Sequence, residues 1–306
     1  APIPYVSSSQ GWGMFFESDA PTVFDVAHAD PTRVKAVLAT EDTIPVDTPS
    51  YSKFYVFASP HPLDLNRHYY QITGWPRLPA SWALGPWIWR DEHDDQAQVE
   101  SDLRSIRELD LPTSGFWIDR PYGSFVGAFN FHPERFPNPE SMAQLVQDLG
   151  MKLALWHTPY IDESADMNTS LYSEAEERGY FPSRSGLLLN YWSKPIDFTR
   201  EGAQAWWRDQ LTYYQSLGVV GYKLDYAEDI VVGLNGLRIP WQFADGSTEL
   251  TMHNHYQRLY HQTYAETLPE DGGFLICRTA RWGDQVNVNV IWPADLDADF
   301  STFKER

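Results

Sequence analysis

From residue 83 onward, short apolar runs alternate with amphipathic helical stretches, and that alternation leaves few architectures open. The runs at 83–90, 114–121, 151–161, 219–224, 273–280 and 286–295 are rich in β-branched and aromatic residues, the character of parallel strands covered on both faces. Between them, 95–111, 138–150, 199–218 and 248–268 carry apolar residues at helical spacing. The second of these opens on Asn138, a good N-cap, and closes on Gly150. Strand–helix–strand units in this order build a parallel sheet. A doubly wound sheet needs a glycine-rich phosphate turn after its first strand, and WRDEHDDQAQ at 89–98 has no glycine. The α/β fold that remains is a (β/α)8 TIM barrel of which strands 1–6 are present.

Residues 1–78 read differently. The runs within 11–18, 22–29, 33–40 and 52–59 are short, β-rich and divided by Pro, Asp, Ser and Thr clusters, which is an antiparallel pattern. Residues 61–74 predict a helix, and the Pro-marked stretch 75–85 a linker into the barrel, giving segments 1–78 and 79–306.

Composition removes whole classes of function. There are 23 Lys+Arg against 42 Asp+Glu, a formal charge of −19, and such a surface repels phosphate backbones, so no nucleic-acid partner is expected. The sequence has no apolar run of about 18 residues, so no membrane span is expected. The start, APIPYVSSSQ, has neither a basic nor an apolar leader region and does not begin with Met, which predicts a processed or cropped beginning. The one cysteine, Cys277, excludes an internal disulfide and leaves the compartment open. Oligomeric state is likewise not readable. The 13 Trp, 17 Tyr and 16 Phe fill a large core in the plain reading. Yet Trp87, Trp89, Trp117, Trp156 and Trp292 fall near strand ends, where aromatic faces can stack against sugars.

In a barrel the carboxyl ends of the strands face one mouth. Their polar residues are Arg90 and Asp91, Asp119 and Arg120, His157, then Asp225, Glu228 and Asp229, then Arg278, and finally Asp295, Asp297 and Asp299. Several acids, a few arginines and a tryptophan by each strand end suit glycoside hydrolysis, which takes one carboxylate as nucleophile or base and one protonated carboxyl as acid. That chemistry calls for no metal and no cofactor. A metal centre would use the same acids, but no ligand-type His/Asp spacing recurs across the strands.

These residues resemble glycoside hydrolase family 31, the α-glucosidase, α-xylosidase and α-galactosidase group. GVVGYKLDYAED (218–229) is similar to the family's nucleophile segment, with Lys223, Asp225 and Glu228 in register. DFTREGAQAWW (197–207) resembles the segment preceding it. CRTARWGDQVNVNVIWPADLDADF (277–300) resembles the family's Arg…Gly-x-Gln…Trp-x-Gly-Asp stretch, aligning Arg278, Gly283, Gln285, Trp292 and Asp295. SSSQGWGMFFES resembles the last strands of the β-sandwich that precedes the family's barrel. Three departures stand out: Ala294 in place of the usual glycine, HTPYI in place of the usual Asn-Pro after the third strand, and an end at Arg306 before strands 7 and 8. The last predicts a fragment of a longer protein, since an open six-stranded sheet has exposed edges.

The resemblance implies a retaining α-glycoside hydrolase acting on a carbohydrate substrate, with Asp225 as nucleophile and Asp295 as general acid/base. It implies Asp119 and Arg278 as groups holding sugar hydroxyls; Trp117, Trp156 and Trp292 are expected as stacking walls, and Lys223 and His157, the latter within a departure from the family's motif, as further substrate-side residues. Lys223 lies on the same strand face as Asp225 and is expected to keep it ionised. Trp292 and the apolar strand are expected to keep Asp295 protonated, with Asp297 and Asp299 as rivals for its role. Glu228 is expected to support the site from behind, and His157 to be either a base or a buried hydrogen-bonded ring. An α-transglycosylase sharing the covalent intermediate, and a non-catalytic sugar-binding fragment, stay open as alternatives.

Overall fold

A computed structural model describes residues 3–38, 53–163, 169–234, 237–270, 272–292 and 295. Near the start lie β1 (Tyr5–Ser8), β2 (Trp12–Glu17), β3 (Thr22–Val26), β4 (Val34–Leu38) and β5 (Lys53–Ala58). β1, β2 and β5 form one antiparallel sheet, and β3 and β4 a separate hairpin. α1 (Pro62–Thr73) is capped by His61, with Pro at its start, and buries Leu65 and Tyr69 against Phe15 and Phe57 of the three-stranded sheet.

The larger sheet is wholly parallel and follows chain order. It consists of β6 (Trp87–Arg90), β7 (Gly115–Ile118), β8 (Lys152–His157), β9 (Val219–Leu224), β12 (Phe274–Cys277) and β13 (Val290–Ile291). The two-residue strands β10 (Gly233–Leu234) and β11 (Leu237–Arg238) make a small hairpin after β9. α2 (Gln96–Glu108) and α3 (Pro139–Asp148) follow β6 and β7; α4 (Thr169–Glu177) and α5 (Ala203–Ser216) follow β8; and α6 (Glu249–Ala265) precedes β12. Their starts are chemically marked. Asp95 and Asn138 side chains accept from the backbone N–H groups of Gln98 and Ser141, satisfying donors the helix itself leaves open. α2 buries Val99, Leu103 and Ile106, which share one face by the helical period.

Strand side chains alternate between two environments. Phe116, Ile118, Leu155, Tyr222, Leu224, Leu275 and Cys277 join the large core beneath the helices. Trp87, Trp117, Ala154, Phe274, Ile276 and Val290 belong to a separate cluster on the opposite face. This is the concave face of a curling sheet. Parallel register sets its layers: Trp89 pairs with Trp117, Trp117 with Ala154, Ala154 with Gly221, and Gly221 with Phe274, while one layer on Trp156 pairs with Lys223 and Lys223 with Ile276.

The expected helices and strands form, with four differences. The strand expected over 83–90 begins at Trp87 after a 3-10 turn at Ser81–Leu84, and the one expected over 286–295 is confined to Val290–Ile291 after a 3-10 turn at Asp284–Val286. Asn289 explains part of this: its side chain, rather than ladder geometry, accepts from the Leu275 N–H. The stretch read as loop between 161 and 199 contains α4, whose apolar signal is thin, and the β10–β11 hairpin was likewise not foreseen. No helix among the described residues is long and apolar enough to cross a membrane.

Glycine at 115 is a matter of space. A Cβ there would meet the Trp87 ring at 2.4 Å, and that ring cannot retreat, being stacked on Phe274 at 4.1 Å. Gly150 has φ +68° with nothing within 4 Å, so its constraint is backbone alone. Gly115→Ala should cost about 1–3 kcal/mol by overpacking and shift tryptophan emission, whereas Gly150→Ala should cost about 1–2 kcal/mol with emission unchanged. Urea unfolding followed by fluorescence distinguishes them, and unchanged stability of Gly115→Ala would refute the packing argument.

Candidate active site

The carboxyl ends of β7, β8, β9 and β12 bring one cluster of charges together. At the end of β7, Asp119 Oδ2 accepts from Lys223 Nζ at 2.8 Å and from the Trp117 indole N–H at 3.2 Å, while Oδ1 accepts from the Arg120 N–H at 3.0 Å. Burial pushes the Asp119 carboxyl above the usual carboxylate range, and the Lys223 ammonium opposes that shift. Asp225, just past β9, takes the Trp156 indole N–H on Oδ2 at 2.9 Å and the Tyr226 N–H on Oδ1 at 2.9 Å. Arg278, just past β12, lies 3.4 Å from Asp225 Oδ1 through Nη1, and its Nε donates to Glu228 Oε1 at 2.7 Å. The guanidinium also sits over the Tyr226 ring, 4.4 Å from its centre.

The expected partner of Lys223 is corrected. The ammonium bonds Asp119 and lies over the rings of Trp89 and Trp292, at 4.8 and 5.1 Å; it is Arg278 that faces Asp225. Register is the reason. Lys223 pairs with Trp156 and so sits one inward-facing layer below Asp225, level with the side chains reaching in from β7. Asp225 rises to the layer of Arg278, whose N–H bonds the Leu224 carbonyl.

Trp117 and Trp156 are also recast. Both are buried, and each spends its indole N–H on a carboxylate, so they act as donors more than as open walls. Trp117 stacks on Trp89 at 5.2 Å. Trp89, 41% exposed, and the half-buried Trp292 are more accessible, each with the Lys223 ammonium against its ring.

His157 does not reach the mouth. It follows Trp156 and therefore points to the opposite face, where it is 1% exposed between α5 and α6. Its Nε2–H donates to the Ala128 carbonyl at 3.0 Å, and its Nδ1 accepts from the Tyr264 hydroxyl at 2.6 Å, which in turn accepts from the Trp207 indole at 2.9 Å. Those partners fix a neutral tautomer, so the reading of His157 as a substrate-side residue gives way to the buried hydrogen-bonded ring.

Asp295 is exposed. Among the described residues, the enclosure expected around it from Trp292 and its strand does not form. Asp297, Asp299 and Ala294 lie outside the described residues. Glu228 lies beside Arg278; burial raises its carboxyl, with Arg278 opposing. Among the described residues, no group of three or more His, Cys, Asp or Glu side chains is placed to hold a metal ion.

Several participants were missed from sequence. Tyr226 and Ala227 have φ of +60° and +79°, a left-handed turn costing on the order of 1–3 kcal/mol per residue and characteristic of functional loops. That turn aims the Tyr226 N–H at Asp225. Asp229 was seen only as a strand-end acid. It accepts from Tyr160 at 2.6 Å and from Asn190 at 2.9 Å, and burial raises its carboxyl. The only sequence signal for this network was the density of aromatic and acidic residues after β9.

Against known proteins, the family described as "Glycosyl hydrolases family 31 TIM-barrel domain" matches residues 76–306. The chain belongs to glycosyl hydrolases family 31. Its sheet is thus a curled half of a TIM barrel. Alpha-xylosidase XylQ of Lactiplantibacillus pentosus is 27% identical over 284 residues, covering 89% of this chain and 34% of that protein. An isomaltosyltransferase of Sporosarcina globispora is 25% identical over 99% of this chain and 30% of its own length. The structure of a GH31 alpha-xylosidase from a soil metagenome complexed with xylose superposes with a TM-score of 0.83 at 22% identity, over 99% of this chain and 44% of that one; the likeness concerns the fold. The chain spans about a third of the length of the curated relatives it matches.

Burial lowers the His157 pKa from 6.5 to about 4. The unfolded chain therefore takes up a proton that the folded ring refuses, and stability falls as pH drops through that window. The loss is on the order of 3 kcal/mol, at about 1.4 kcal/mol per unit. His157→Gln should flatten this part of the profile, read as the urea midpoint between pH 7 and pH 4; an unchanged slope would show that other groups carry it.

Proposed function

We propose that this family 31 chain carries the catalytic centre of a retaining α-glycoside hydrolase, with Asp225 as nucleophile and Asp295 as general acid/base. The observation carrying the reading is the setting of Asp225: a strand-end carboxylate oriented by the Trp156 and Tyr226 N–H groups and faced by the Arg278 guanidinium. Both N–H groups donate to the carboxylate, which fixes its orientation for attack. Asp225 attacks the anomeric carbon while Asp295 protonates the departing oxygen, and Asp295 then takes a proton from the water that opens the glycosyl-enzyme. Retention requires the two carboxyl groups to close to about 5–5.5 Å.

Asp119 and Arg278 bind sugar hydroxyls, since charged hydrogen-bonding groups held in a largely buried site reject analogues that lack the hydroxyl. The accessible parts of the Trp89 and Trp292 rings flank Lys223 and offer apolar contact to a sugar. Residues 1–78 are assigned as the end of a β-sandwich with its connecting helix, and 79–306 as the catalytic barrel. Transfer of the sugar to another hydroxyl is the second reading, favoured by the similarity to an isomaltosyltransferase; it shares the same covalent intermediate.

The test uses the full-length protein. Asp295→Ala should nearly abolish cleavage of α-glycosides with poor leaving groups, a loss of about 100-fold or more. Aryl glycosides with acidic phenols should still form the glycosyl-enzyme, and azide should restore turnover with the α-glycosyl azide as product. Asp225→Ala should accumulate no intermediate and give only the β-azide. Cleavage of unactivated α-glycosides by Asp295→Ala at the parent rate moves the acid/base role to Asp297 or Asp299, and a covalent label that never appears on Asp225 leaves only sugar binding.

A further inference from the structure

The turn that presents the Tyr226 N–H to Asp225 is strained and has to be held in place. Tyr226 and Ala227 both have positive φ, at +60° and +79°, a region that side chains disfavour, and Ala227 is fully buried. A buried peptide unit needs hydrogen-bond partners. Here they are side chains: the Ala227 carbonyl accepts from Gln257 Nε2 at 3.1 Å, and its N–H donates to the Tyr160 hydroxyl oxygen at 3.4 Å.

Tyr160 can accept that N–H because its own proton points elsewhere. A phenol has one O–H to give, and Asp229 Oδ1 takes it at 2.6 Å. The other oxygen of Asp229 accepts from Asn190 Nδ2 at 2.9 Å. Asn190 is itself oriented, since its Oδ1 accepts from the Trp192 and Ser193 N–H groups at 2.9 and 3.0 Å. Donor and acceptor roles are therefore set in sequence, from Asn190 through Asp229 and Tyr160 to Ala227. Tyr160 and Asp229 are buried, at 0% and 2% exposed. They join the chain just past β8 to the chain just past β9, and the last link lies one residue from the N–H that bonds Asp225 Oδ1 at 2.9 Å.

We propose that Tyr160 is a positioning residue for the nucleophile: its buried hydroxyl, turned by Asp229, holds the left-handed turn that aims the Tyr226 N–H at Asp225. The inference rests on the glycosidase reading above and adds a group that directs the attack through the backbone rather than through the sugar. Without the hydroxyl, the Ala227 N–H is left buried and unpaired. The turn then relaxes, and Asp225 keeps only the Trp156 indole as an orienting N–H donor. Attack depends steeply on the angle and distance of the carboxylate. Sugar binding depends on Asp119 and Arg278, which this chain of bonds does not include, so the loss falls on the chemical step.

The experiment follows covalent labelling of the full-length protein by 5-fluoro-α-glucosyl fluoride and 5-fluoro-α-xylosyl fluoride, with the labelled residue read by peptide mass. Tyr160→Phe keeps the ring that packs near Trp192 and Tyr226, at 5.8 and 6.1 Å, and removes only the hydroxyl. It should lower kinact about tenfold and leave KI within about twofold. Asp229→Asn should lower kinact similarly, because an amide N–H then faces either the Asn190 amide or the Tyr160 hydroxyl. Exchanging the two groups, Asp229→Asn with Asn190→Asp, restores donor to acceptor at each contact and should return kinact to within about threefold of the parent. A purely structural role would not give that recovery. Labelling of Tyr160→Phe at the parent rate would overturn the proposal. So would equal changes in kinact and KI, or an exchanged pair no faster than Asp229→Asn alone. A parent that neither probe labels at Asp225 refutes the glycosidase reading instead, and the positioning role falls with it.

Discussion

The stagger of the parallel sheet governs the whole site. Side chains enter the concave face every second residue, and the register between neighbouring strands decides which of them meet. The Trp156–Lys223–Ile276 layer places an ammonium where Asp119 reaches in from β7; the next layer up places Asp225 opposite Arg278. A slip of one residue in β9 would send both Lys223 and Asp225 to the helix side and Tyr222 and Leu224 into the mouth. The apolar faces of Tyr222 and Leu224, buried under α5 and α6, therefore hold the charged residues in place.

That arrangement carries an electrostatic cost which the pairs offset. Asp119 and Lys223 are both buried, and taking either out of water alone is costly; removing one partner of such a pair typically destabilises by about 3–5 kcal/mol. Each acid is also given neutral donors: an indole N–H and a backbone N–H for Asp119 and for Asp225. Arg278 divides itself between Asp225 and Glu228, which keeps its plane fixed over Tyr226. The result is a set of groups already oriented before any ligand arrives.

The antiparallel sheet near the start of the chain is tied to the far side of the parallel one. Gln285 Nε2 donates to the Thr73 hydroxyl and the Gly74 carbonyl at 2.8 Å each, and the Trp282 indole donates to the Ser18 carbonyl at 2.9 Å. Both donors lie between β12 and β13, so the segment that leads to Trp292 and Asp295 is braced by α1 rather than by a helix of its own.

The alternation of strand and helix periods was enough to specify the sheet's type and strand order, because burial on two faces demands apolar runs and a helix demands its own period. Asp119, Asp225 and Arg278 were legible as strand-end groups for the same reason. Elements with weak apolar signals were not: α4 has few periodic residues, and β13 shrinks to Val290–Ile291 where Asn289 intervenes. Which charges pair was decided only by tertiary structure, since Lys223 is two residues from Asp225 yet bonds Asp119, 104 positions away. The same holds for His157, whose direction follows from strand parity, and for the left-handed Tyr226–Ala227 turn. Composition and period depend on one chain's local order; partners, tautomers and exposure depend on the register between strands, and that exists only once the sheet has formed.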